Sequence, residues 1–483
     1  MQPYDLVIRN ATVIDGTRAP RYQADIGVHA GKIAAIGKIP EKGKSELNAT
    51  GKIAAPGFID AHTHDDRLML SSPDMSPKVS QGVTTVVAGN CGISLAPAPK
   101  GMRAPVAVPL DLLDGEGGWF RFGTFRQYVQ ELKAKPAATN CALLVGHSML
   151  RVQTMDAVDQ PASKAEIGKM RGLVAEAMEA GAIGLSTGLY YEPARAAPTE
   201  EVIEICRPLS EHHGIYCTHM RDEGDRVVDS LEESFRTGRE LGVPVVISHH
   251  KVIGTANHGR SAETLPIIEK AMRSQPVGLD CYPYHASSTI LSAGRTSNAM
   301  KVLVTWSRPH PEFAGMELTE VASKMKVSIQ EAVERLVPAG AIYFSMDEKD
   351  VQRILKFDST MIGSDGLPHD AAPHPRLWGT FPRVLGHYAR GLGLFSLETA
   401  VHKMTGLTAR TFGFADRGVL KPGYAADITI FDPQVDETAT FEKPIQPAKG
   451  IETVMVNGKI VWRDGRPTGA RPGQVLARQR SAR

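Results

Sequence analysis

The sequence predicts an α/β protein: a (β/α)8 TIM barrel with a small β-sandwich assembled from the two ends of the chain. Three observations support this prediction. Apolar strand-like runs alternate with helical patterns about eight times between residues 56 and 414. Short strand signals cluster in residues 1–55 and again in residues 415–483. Residues 285–350 exceed the length of one strand–helix unit, which predicts an insertion that could form a lid or a subdomain over the barrel mouth.

The two ends of the chain share the same pattern of short strand signals separated by turns. Strand signals at the N-terminal end cover residues 6–9, 12–14, 25–28 and 32–36, and Gly and Asp-Gly turns between them are typical of an antiparallel sheet. Residues 426–431 and a pair of strands joined by Asn457-Gly458 repeat this pattern. We therefore expect residues 1–55 and 415–483 to pack together, with the basic tail, residues 470–483, draped over the surface or frayed.

The middle region, residues 56–414, supplies the barrel. After a first short strand at Phe58-Ile59, its predicted strands cover residues 84–88, 141–145, 183–186, 215–218, 245–248, 277–280 and 360–363. Helical patterns between them include residues 164–180 and 227–241. The active site of such a barrel is built at the carboxyl ends of its strands. Polar residues that follow a predicted strand are therefore the functional candidates.

Composition narrows the class of protein. The chain has 483 residues, 42% hydrophobic and 22% charged, which is ordinary for a soluble globular protein. The net charge of +2 gives no sign of a nucleic-acid or membrane-surface partner, and no apolar run reaches membrane-spanning length. The N-terminus lacks the pattern of a signal peptide. Five widely spaced cysteines argue against a disulfide framework and predict a reducing, cytoplasmic setting. The expected partner is a small molecule, and the oligomeric state stays open.

The most informative motif is Pro56-Gly57-Phe58-Ile59-Asp60-Ala61-His62-Thr63-His64. Residues two apart on a strand point to the same face, so both imidazoles can reach one point just past the strand end. Imidazole is a common ligand of zinc-type metals. Paired histidines also occur on ordinary solvated strands, so this motif needs support from the rest of the chain.

That support comes from polar side chains after other predicted strands: Cys91, His219, His249, His250 and Asp365. Their convergence at one edge of the barrel favours a shared site over separate packing roles. Zn2+ accepts imidazole, thiolate and carboxylate ligands, and a thiolate disfavours Mg2+ or Ca2+. Because adjacent strand residues face opposite ways, only one of His249 and His250 can point inward. Cys281, at another strand end, is a weaker candidate ligand.

The first-strand motif resembles that of the amidohydrolase superfamily, and residues 418–427 resemble the same superfamily. Three further segments resemble the N-acyl-D-amino-acid deacylases, or D-aminoacylases. These segments are Gly89-Asn90-Cys91-Gly92, Ser186-Thr187-Gly188-Leu189-Tyr190-Tyr191 and Thr218-His219-Met220-Arg221. The resemblance covers essentially the whole chain. It implies that Cys91 replaces the modified lysine or glutamate that bridges two metals in most superfamily members.

The resemblance also implies how the ligands divide. His62, His64 and Asp365 would form a weaker metal position. The tightly bound zinc would lie on Cys91, His219 and His249, with Cys91 able to bridge the two positions. His249 is chosen over His250 because it matches the family's sixth-strand histidine.

The implied reaction is hydrolysis of the amide bond of an N-acyl-D-amino acid, and the D preference rests wholly on the resemblance. Zinc would activate water and polarise the carbonyl. Asp365 would take the proton of that water and later donate it to the leaving amine. Tyr190 or Tyr191 is a candidate donor to the oxyanion, although either tyrosine could simply be packing.

Cations near the predicted mouth suggest the substrate. Arg376 and Tyr282 are candidates to hold the α-carboxylate, since arginine binds carboxylates in a bidentate manner. Lys251 and Arg295 would add positive charge, which predicts a second carboxylate on the substrate: N-acyl-D-glutamate first, N-acyl-D-aspartate second. The same cations could be structural, which leaves a deacylase for apolar side chains open.

Two other classes compete with this reading of the site. A cyclic-amide hydrolase of the hydantoinase or dihydroorotase kind would ordinarily carry a lysine where Cys91 stands. A non-catalytic binding module on the same barrel is the remote alternative, because fold does not determine function. The intact set of ligands argues against it.

Overall fold

The computed structural model describes residues 4–479, so the part of the tail prediction that concerns residues 480–483 lies outside the described residues. Its strands are β1 Leu6–Val13, β2 Tyr22–His29, β3 Lys32–Gly37, β4 Ser45–Asn48, β5 Ile53–Pro56, β6 Phe58–Asp60, β7 Val83–Ala88, β8 Asn140–Gly146, β9 Gly184–Gly188, β10 Ile215–His219, β11 Val245–Ile247, β12 Val277–Cys281, β13 Ser287–Ile290, β14 Lys301–Ser307, β15 Ala339–Phe344, β16 Thr360–Ile362, β17 Ile428–Asp436, β18 Lys449–Val456, β19 Lys459–Arg463 and β20 Arg466–Pro467.

The α-helices are α1 Leu68–Ser71, α2 Ser76–Val79, α3 Asp111–Asp114, α4 Phe125–Ala134, α5 His147–Thr154, α6 Lys164–Ala180, α7 Glu192–Arg195, α8 Thr199–Glu211, α9 Val227–Leu241, α10 Ser261–Met272, α11 Ala293–Thr296, α12 Leu318–Met325, α13 Ile329–Leu336, α14 Glu348–Lys356, α15 Arg376–Arg383, α16 Leu397–Met404 and α17 Gly406–Phe412. Short 3-10 turns cover Thr255–Asn257 and Pro311–Phe313, and Val384–Gly391 is π-helical.

The barrel is an eight-stranded parallel sheet in the order β16-β12-β11-β10-β9-β8-β7-β6. Its first and last strands meet where the amide of Ala61 donates to the carbonyl of Ile362 at 3.1 Å. A second bond, from the Asp365 amide to the His62 carbonyl at 2.8 Å, continues this seam. The predicted (β/α)8 barrel is therefore confirmed. The seam also brings the turn after β16 beside the turn after β6.

Local sequence explains why the predicted helices form. Helix α6 begins at a capping box, in which the Ser163 hydroxyl accepts from the Glu166 amide and the Glu166 carboxylate accepts from the Ser163 amide. It ends at Gly181, whose φ of 111° suits glycine. Helix α9 ends in the same way at Gly242, with φ 65°. Both helices cover the ranges that the sequence predicts.

The two chain ends join in one nine-stranded sheet in the order β20-β19-β18-β17-β5-β1-β2-β3, with β4 paired to β1. Their shared core includes Ile8, Val28, Ile428 and Met455, as expected for two end segments that pack together. The antiparallel pairing expected for the N-terminal strand signals is confirmed, because β1 pairs with β2 and β2 with β3 in this way. Strands β4 and β5, which the sequence pattern did not predict, pair with β1 in parallel. Gly and Asp-Gly turns report only hairpins, and a parallel pairing between distant strands leaves no turn signal. The exact domain boundaries stay a prediction.

The insertion forms a small subdomain of its own. Strands β13, β15 and β14 make an antiparallel sheet, and helices α12 and α13 pack on it through a core that includes Val304, Val321 and Leu336. The Thr289 side chain of β13 bonds the Tyr191 hydroxyl at 3.1 Å, so this sheet closes over the carboxyl end of the barrel.

The C-terminal tail is draped along the barrel as far as it is described. Cys141 in β8 donates its amide to the Gln474 carbonyl at 2.9 Å and accepts from the Leu476 amide at 2.7 Å. The Gln479 amide donates to the Gly413 carbonyl at 2.9 Å. Within residues 4–479, no helix combines the length and apolar character needed to cross a membrane.

Candidate metal centre and active site

Six buried candidate ligands lie at the carboxyl edge of the barrel: His62, His64, Cys91, His219, His249 and Asp365. Each ends a barrel strand or follows one within a few residues, so the side chains of five strands meet at one point. This is the face on which TIM barrels build their active sites.

The ligand atoms form two groups. His62, His64, Cys91 and Asp365 make the first group, and Cys91, His219 and His249 make the second; within each group the atoms lie within 4.8 Å of one another. The Cys91 sulfur belongs to both groups, at 3.2 Å from His62 Nε2 and 3.3 Å from His249 Nε2. Asp365 Oδ1 lies 3.1 Å from His64 Nε2, and His249 Nε2 lies 3.0 Å from His219 Nδ1.

Three of these residues have left-handed backbones: Cys91, His249 and Asp365, with φ values of 55°, 37° and 50°. This conformation is uncommon for residues other than glycine and persists only where the surroundings impose it. The His249 amide donates to Asp280 Oδ1 at 2.9 Å, and the Asp365 amide donates to the His62 carbonyl. Three of the ligand-bearing turns therefore hold a residue in a strained backbone conformation, which directs its side chain towards the other ligands.

Burial disfavours the charged forms of the imidazoles and the thiol, but at His62 the nearby Asp280 outweighs burial and raises the pKa above its usual value. Burial holds the pKa of His219 well below its usual value, and it also lowers the pKa of His64 and His249. Burial raises the pKa of the Cys91 thiol well above its usual value. Neutral imidazoles keep a lone pair for a metal, and a buried thiolate requires a nearby cation.

Asp365 behaves differently because it has a cationic partner. Burial alone would raise its pKa, but Arg376 Nη1 lies 2.9 Å from Asp365 Oδ2. This guanidinium, together with the neighbouring histidines, holds the pKa of Asp365 well below its usual value. The carboxylate therefore stays ionised and can accept a proton.

Two strand-end candidates lie apart from both groups. His250 turns to the outside of the barrel, where its Nε2 lies 2.9 Å from the Thr264 hydroxyl of α10. Of the two histidines that the residue pattern left open, His249 is therefore the one beside Cys91. The Cys281 thiol donates to the Tyr282 carbonyl at 3.2 Å.

The predicted substrate-binding residues surround the centre, and they differ in how many of their polar groups already have partners within the protein. Arg376 is fully buried, and it stacks 4.5 Å from the Tyr282 ring and donates to the Ser288 carbonyl at 3.0 Å. The Lys251 ammonium contacts Glu223 Oε1 at 2.6 Å and the His249 carbonyl at 3.2 Å, so much of its donor capacity is used within the protein.

Arg295 has an unused donor. Its Nε donates to the Tyr190 hydroxyl at 2.9 Å, and its guanidinium stacks 4.1 Å from that ring, while Nη2 is buried with no hydrogen-bond partner. Unlike the Tyr190 hydroxyl, which accepts from Arg295, the Tyr191 hydroxyl bonds the Thr289 hydroxyl.

Two cavities lie beside this centre and share Glu223 and Arg295 among their lining residues. A reaction cavity of about 20 Å³ is lined by residues that include Tyr191, His219, His249, Arg295 and Asp365. A side cavity of about 310 Å³ is lined by residues that include Tyr190, Asp222, Asp225, Arg295 and Tyr343. Arg295 lines both cavities. A larger cavity of about 830 Å³, at the opposite end of the barrel beside Arg410 and Arg478, contains none of the candidate ligands.

Sequence reasoning missed two buried carboxylates that support the ligands. Glu223 lies 3.1 Å from His249 Nδ1, and Asp280 lies 3.6 Å from His62 Nδ1. Asp280 sits at a predicted strand end, which was a usable signal. Glu223 lies in a loop four residues after His219. Nothing in the sequence pattern there distinguishes a functional acidic residue from an ordinary one.

Comparison with known proteins gives one family. A model of the Amidohydrolase family matches residues 45–276 and 325–462. A D-aminoacylase from Alcaligenes xylosoxydans xylosoxydans is 58% identical over 479 residues, which cover 99% of this chain and 98% of that protein. An N-acyl-D-aspartate deacylase from the same organism is 52% identical, and the match covers 98% of this chain and 95% of that protein.

A solved structure shares the whole fold. It is the N-acyl-D-glutamate deacylase from Bordetella bronchiseptica, complexed with zinc and a phosphonate inhibitor that mimics the tetrahedral intermediate of the reaction. The TM-score is 0.94 at 45% identity, and the match covers 98% of this chain and 99% of that chain.

Proposed function

The chain belongs to the amidohydrolase family, and we propose that it is a zinc-dependent deacylase that hydrolyses N-acyl-D-amino acids to a carboxylate and a free D-amino acid. The observation that carries this proposal is the pair of buried ligand groups that share Cys91 at the barrel mouth. No lysine stands at that shared position, which favours linear amides over the cyclic amides of the hydantoinase alternative.

The donor set fits zinc. It consists of imidazole nitrogens, one thiol sulfur and one carboxylate oxygen, all buried, and the atoms lie within 4.8 Å of one another in each of the two groups. Cys91, His219 and His249 would hold the tighter ion, and His62, His64 and Asp365 the weaker one. When bound, zinc polarises the amide carbonyl and lowers the pKa of the attacking water.

The protein's own groups supply the proton transfers. Asp365, held ionised beside Arg376, accepts a proton from the attacking water as the new carbon–oxygen bond forms. It then donates that proton to the amine as the carbon–nitrogen bond breaks. Tyr191 lines the reaction cavity and Tyr190 lines the side cavity, so Tyr191 is the better placed donor to the oxyanion. Arg376 and Tyr282 remain our candidates for binding the substrate's α-carboxylate, and Lys251 remains, with Arg295, a candidate for a second carboxylate.

Arg295 supports an acidic substrate side chain. Arg295 lines both the reaction cavity and the side cavity, and its buried Nη2 has no hydrogen-bond partner, so a substrate carboxylate that reached Nη2 would satisfy it. N-acyl-D-glutamate is therefore the first candidate substrate and N-acyl-D-aspartate the second.

A preference for apolar side chains is the second candidate function. Asp222 and Asp225 line the same side cavity, and their negative charges oppose a negative side chain. Hydrolysis of N-acetyl-D-glutamate against N-acetyl-D-leucine decides between the two. An acidic preference that depends on Arg295 requires Arg295→Leu to lower kcat/KM for the glutamate compound and not for the leucine compound. An unchanged glutamate rate contradicts that role.

The deacylase proposal is tested with a library of N-acetyl-D- and L-amino acids and the zinc-loaded protein. We expect hydrolysis of D substrates, loss of activity on chelation and recovery with zinc. Cys91→Ala should lose both bound zinc and activity. Cys281→Ala is the matched control, because that buried thiol also lies at a strand end but outside both groups. Stoichiometric zinc and normal hydrolysis in Cys91→Ala would contradict the proposal.

We base a proposal for the cellular compartment on the state of the cysteines. All five are free and buried, which suits a reducing compartment such as the cytoplasm.

A further inference from the structure

Glu223 lies behind the two histidines of the second ligand group. The ring nitrogens that face each other near the Cys91 sulfur are His219 Nδ1 and His249 Nε2. The opposite nitrogens face one carboxylate: His249 Nδ1 lies 3.1 Å from Glu223 Oε1, and His219 Nε2 lies 3.6 Å from Glu223 Oε2. The Glu223 side chain is 1% exposed, so water does not compete for these contacts.

Lys251 completes this arrangement. Its ammonium donates to Glu223 Oε1 at 2.6 Å and therefore compensates the charge of a carboxylate that would otherwise be buried alone. The ammonium also lies 2.8 Å from His249 Nδ1. An ammonium has only donors, so Lys251 can bond His249 Nδ1 only while that nitrogen carries no hydrogen. With Nε2 on a metal, Nδ1 of the neutral imidazole would carry the hydrogen, and Glu223 Oε1 is the acceptor that lies beside it.

We propose that Glu223 is a positioning residue that selects the metal-facing nitrogen of both histidines, Nδ1 of His219 and Nε2 of His249. A neutral imidazole carries one N–H, and a carboxylate behind the ring attracts that hydrogen to its own side. The opposite nitrogen then keeps its lone pair for the metal. Glu223 Oε1 lies within hydrogen-bond distance of His249 Nδ1. His219 Nε2, at 3.6 Å from Oε2, has no hydrogen-bond partner and is influenced by the charge of the carboxylate alone. The inference rests on the proposed zinc site but not on the identity of the substrate.

The test measures metal binding separately from catalysis. Glu223→Gln keeps the side-chain volume, but its amide has one acceptor oxygen where the carboxylate has two. We expect its zinc dissociation constant, measured by competition with a chelator, to rise 10- to 100-fold. The visible absorption of the cobalt-substituted protein should also shift, because the ring orientations change. Glu223→Asp, which keeps the charge but withdraws it by one methylene, should give a smaller loss.

Asp222→Asn is the matched control. Asp222 lies in the same loop, but its carboxylate accepts from the amides of Gly224 and Arg226 and not from the histidines. Wild-type zinc affinity and an unchanged cobalt spectrum in both Glu223 variants would overturn the inference, as would an equal loss in Asp222→Asn. If Glu223→Gln weakens zinc binding while the wild-type protein hydrolyses no N-acyl-D-amino acid, the proposed function fails and this inference stands.

Discussion

Lys78 is a buried cation whose removal should destabilise the barrel severely. It lies on α2 and is fully buried. Its ammonium donates to Asp60 Oδ2 at 2.9 Å and to the Ser364 hydroxyl at 2.8 Å, and it lies 3.4 Å from Asp65 Oδ2. Asp60 is the last residue of the first barrel strand, and Ser364 lies in the turn after the last barrel strand. One side chain therefore joins the two sides of the barrel seam.

Lys78→Met keeps most of the apolar volume and removes the charge. Both carboxylates stay fully buried, and burial has already raised the pKa of Asp65 to about 6 with Lys78 present. Removing one partner from a buried ion pair costs about 3–5 kcal/mol, because the remaining charge is neither solvated nor paired. We therefore expect the free energy of unfolding to fall by about 4 kcal/mol.

Denaturant unfolding followed by circular dichroism at neutral pH measures this loss. Lys169→Met on α6 is the control, because that lysine is exposed and its replacement should change stability by less than about 0.5 kcal/mol. Adding Asp60→Asn to Lys78→Met should recover part of the loss, since one unpaired charge disappears. A Lys78→Met protein that unfolds within about 1 kcal/mol of the wild type would refute the reasoning.

Further predictions concern the pH dependence of stability and the space for a side chain at two glycines. Burial raises the pKa of Asp111 to about 6 from 3.8, so the folded state loses stability as pH rises through this window. Asp111→Asn should therefore raise the unfolding free energy by about 3 kcal/mol at pH 7.5 and by almost nothing below pH 4; an equal gain in denaturant melts at both pH values would contradict this. Gly89→Ala should reduce both stability and zinc content, because a Cβ there would lie 2.0 Å from the Leu144 carbonyl oxygen, at φ 83°. Gly172→Ala on exposed α6, with open space around it, should instead stabilise by about 1 kcal/mol in the same melts.

Much of the fold can be predicted from the sequence, because barrel strands and helices each have a characteristic local pattern of apolar and polar residues. The ranges of α6 and α9 follow from their helical patterns, and the parallel strands follow from apolar runs. The pairing of β1 with β4 and β5 is not readable, because these contacts join distant segments without a turn signal.

The candidate site also has a part that can be predicted from the sequence and a part that cannot. His62, His64, Cys91, His219 and Asp365 can be identified by residue type and by their place after predicted strands. The choice between His249 and His250 is different, since two adjacent residues satisfy the same pattern. The turn after β11, with its left-handed His249, decides which ring reaches Cys91.

The sequence by itself determined the barrel, the edge at which its polar residues gather and the metal chemistry that those residues suit. The tertiary structure alone decided that Glu223 backs two histidines, that Lys78 joins the barrel seam and that Arg295 keeps a free donor. The physical reason is the range of the interactions. Periodicity and turns reflect neighbours along the chain, whereas burial and ion pairing depend on segments that only folding brings together.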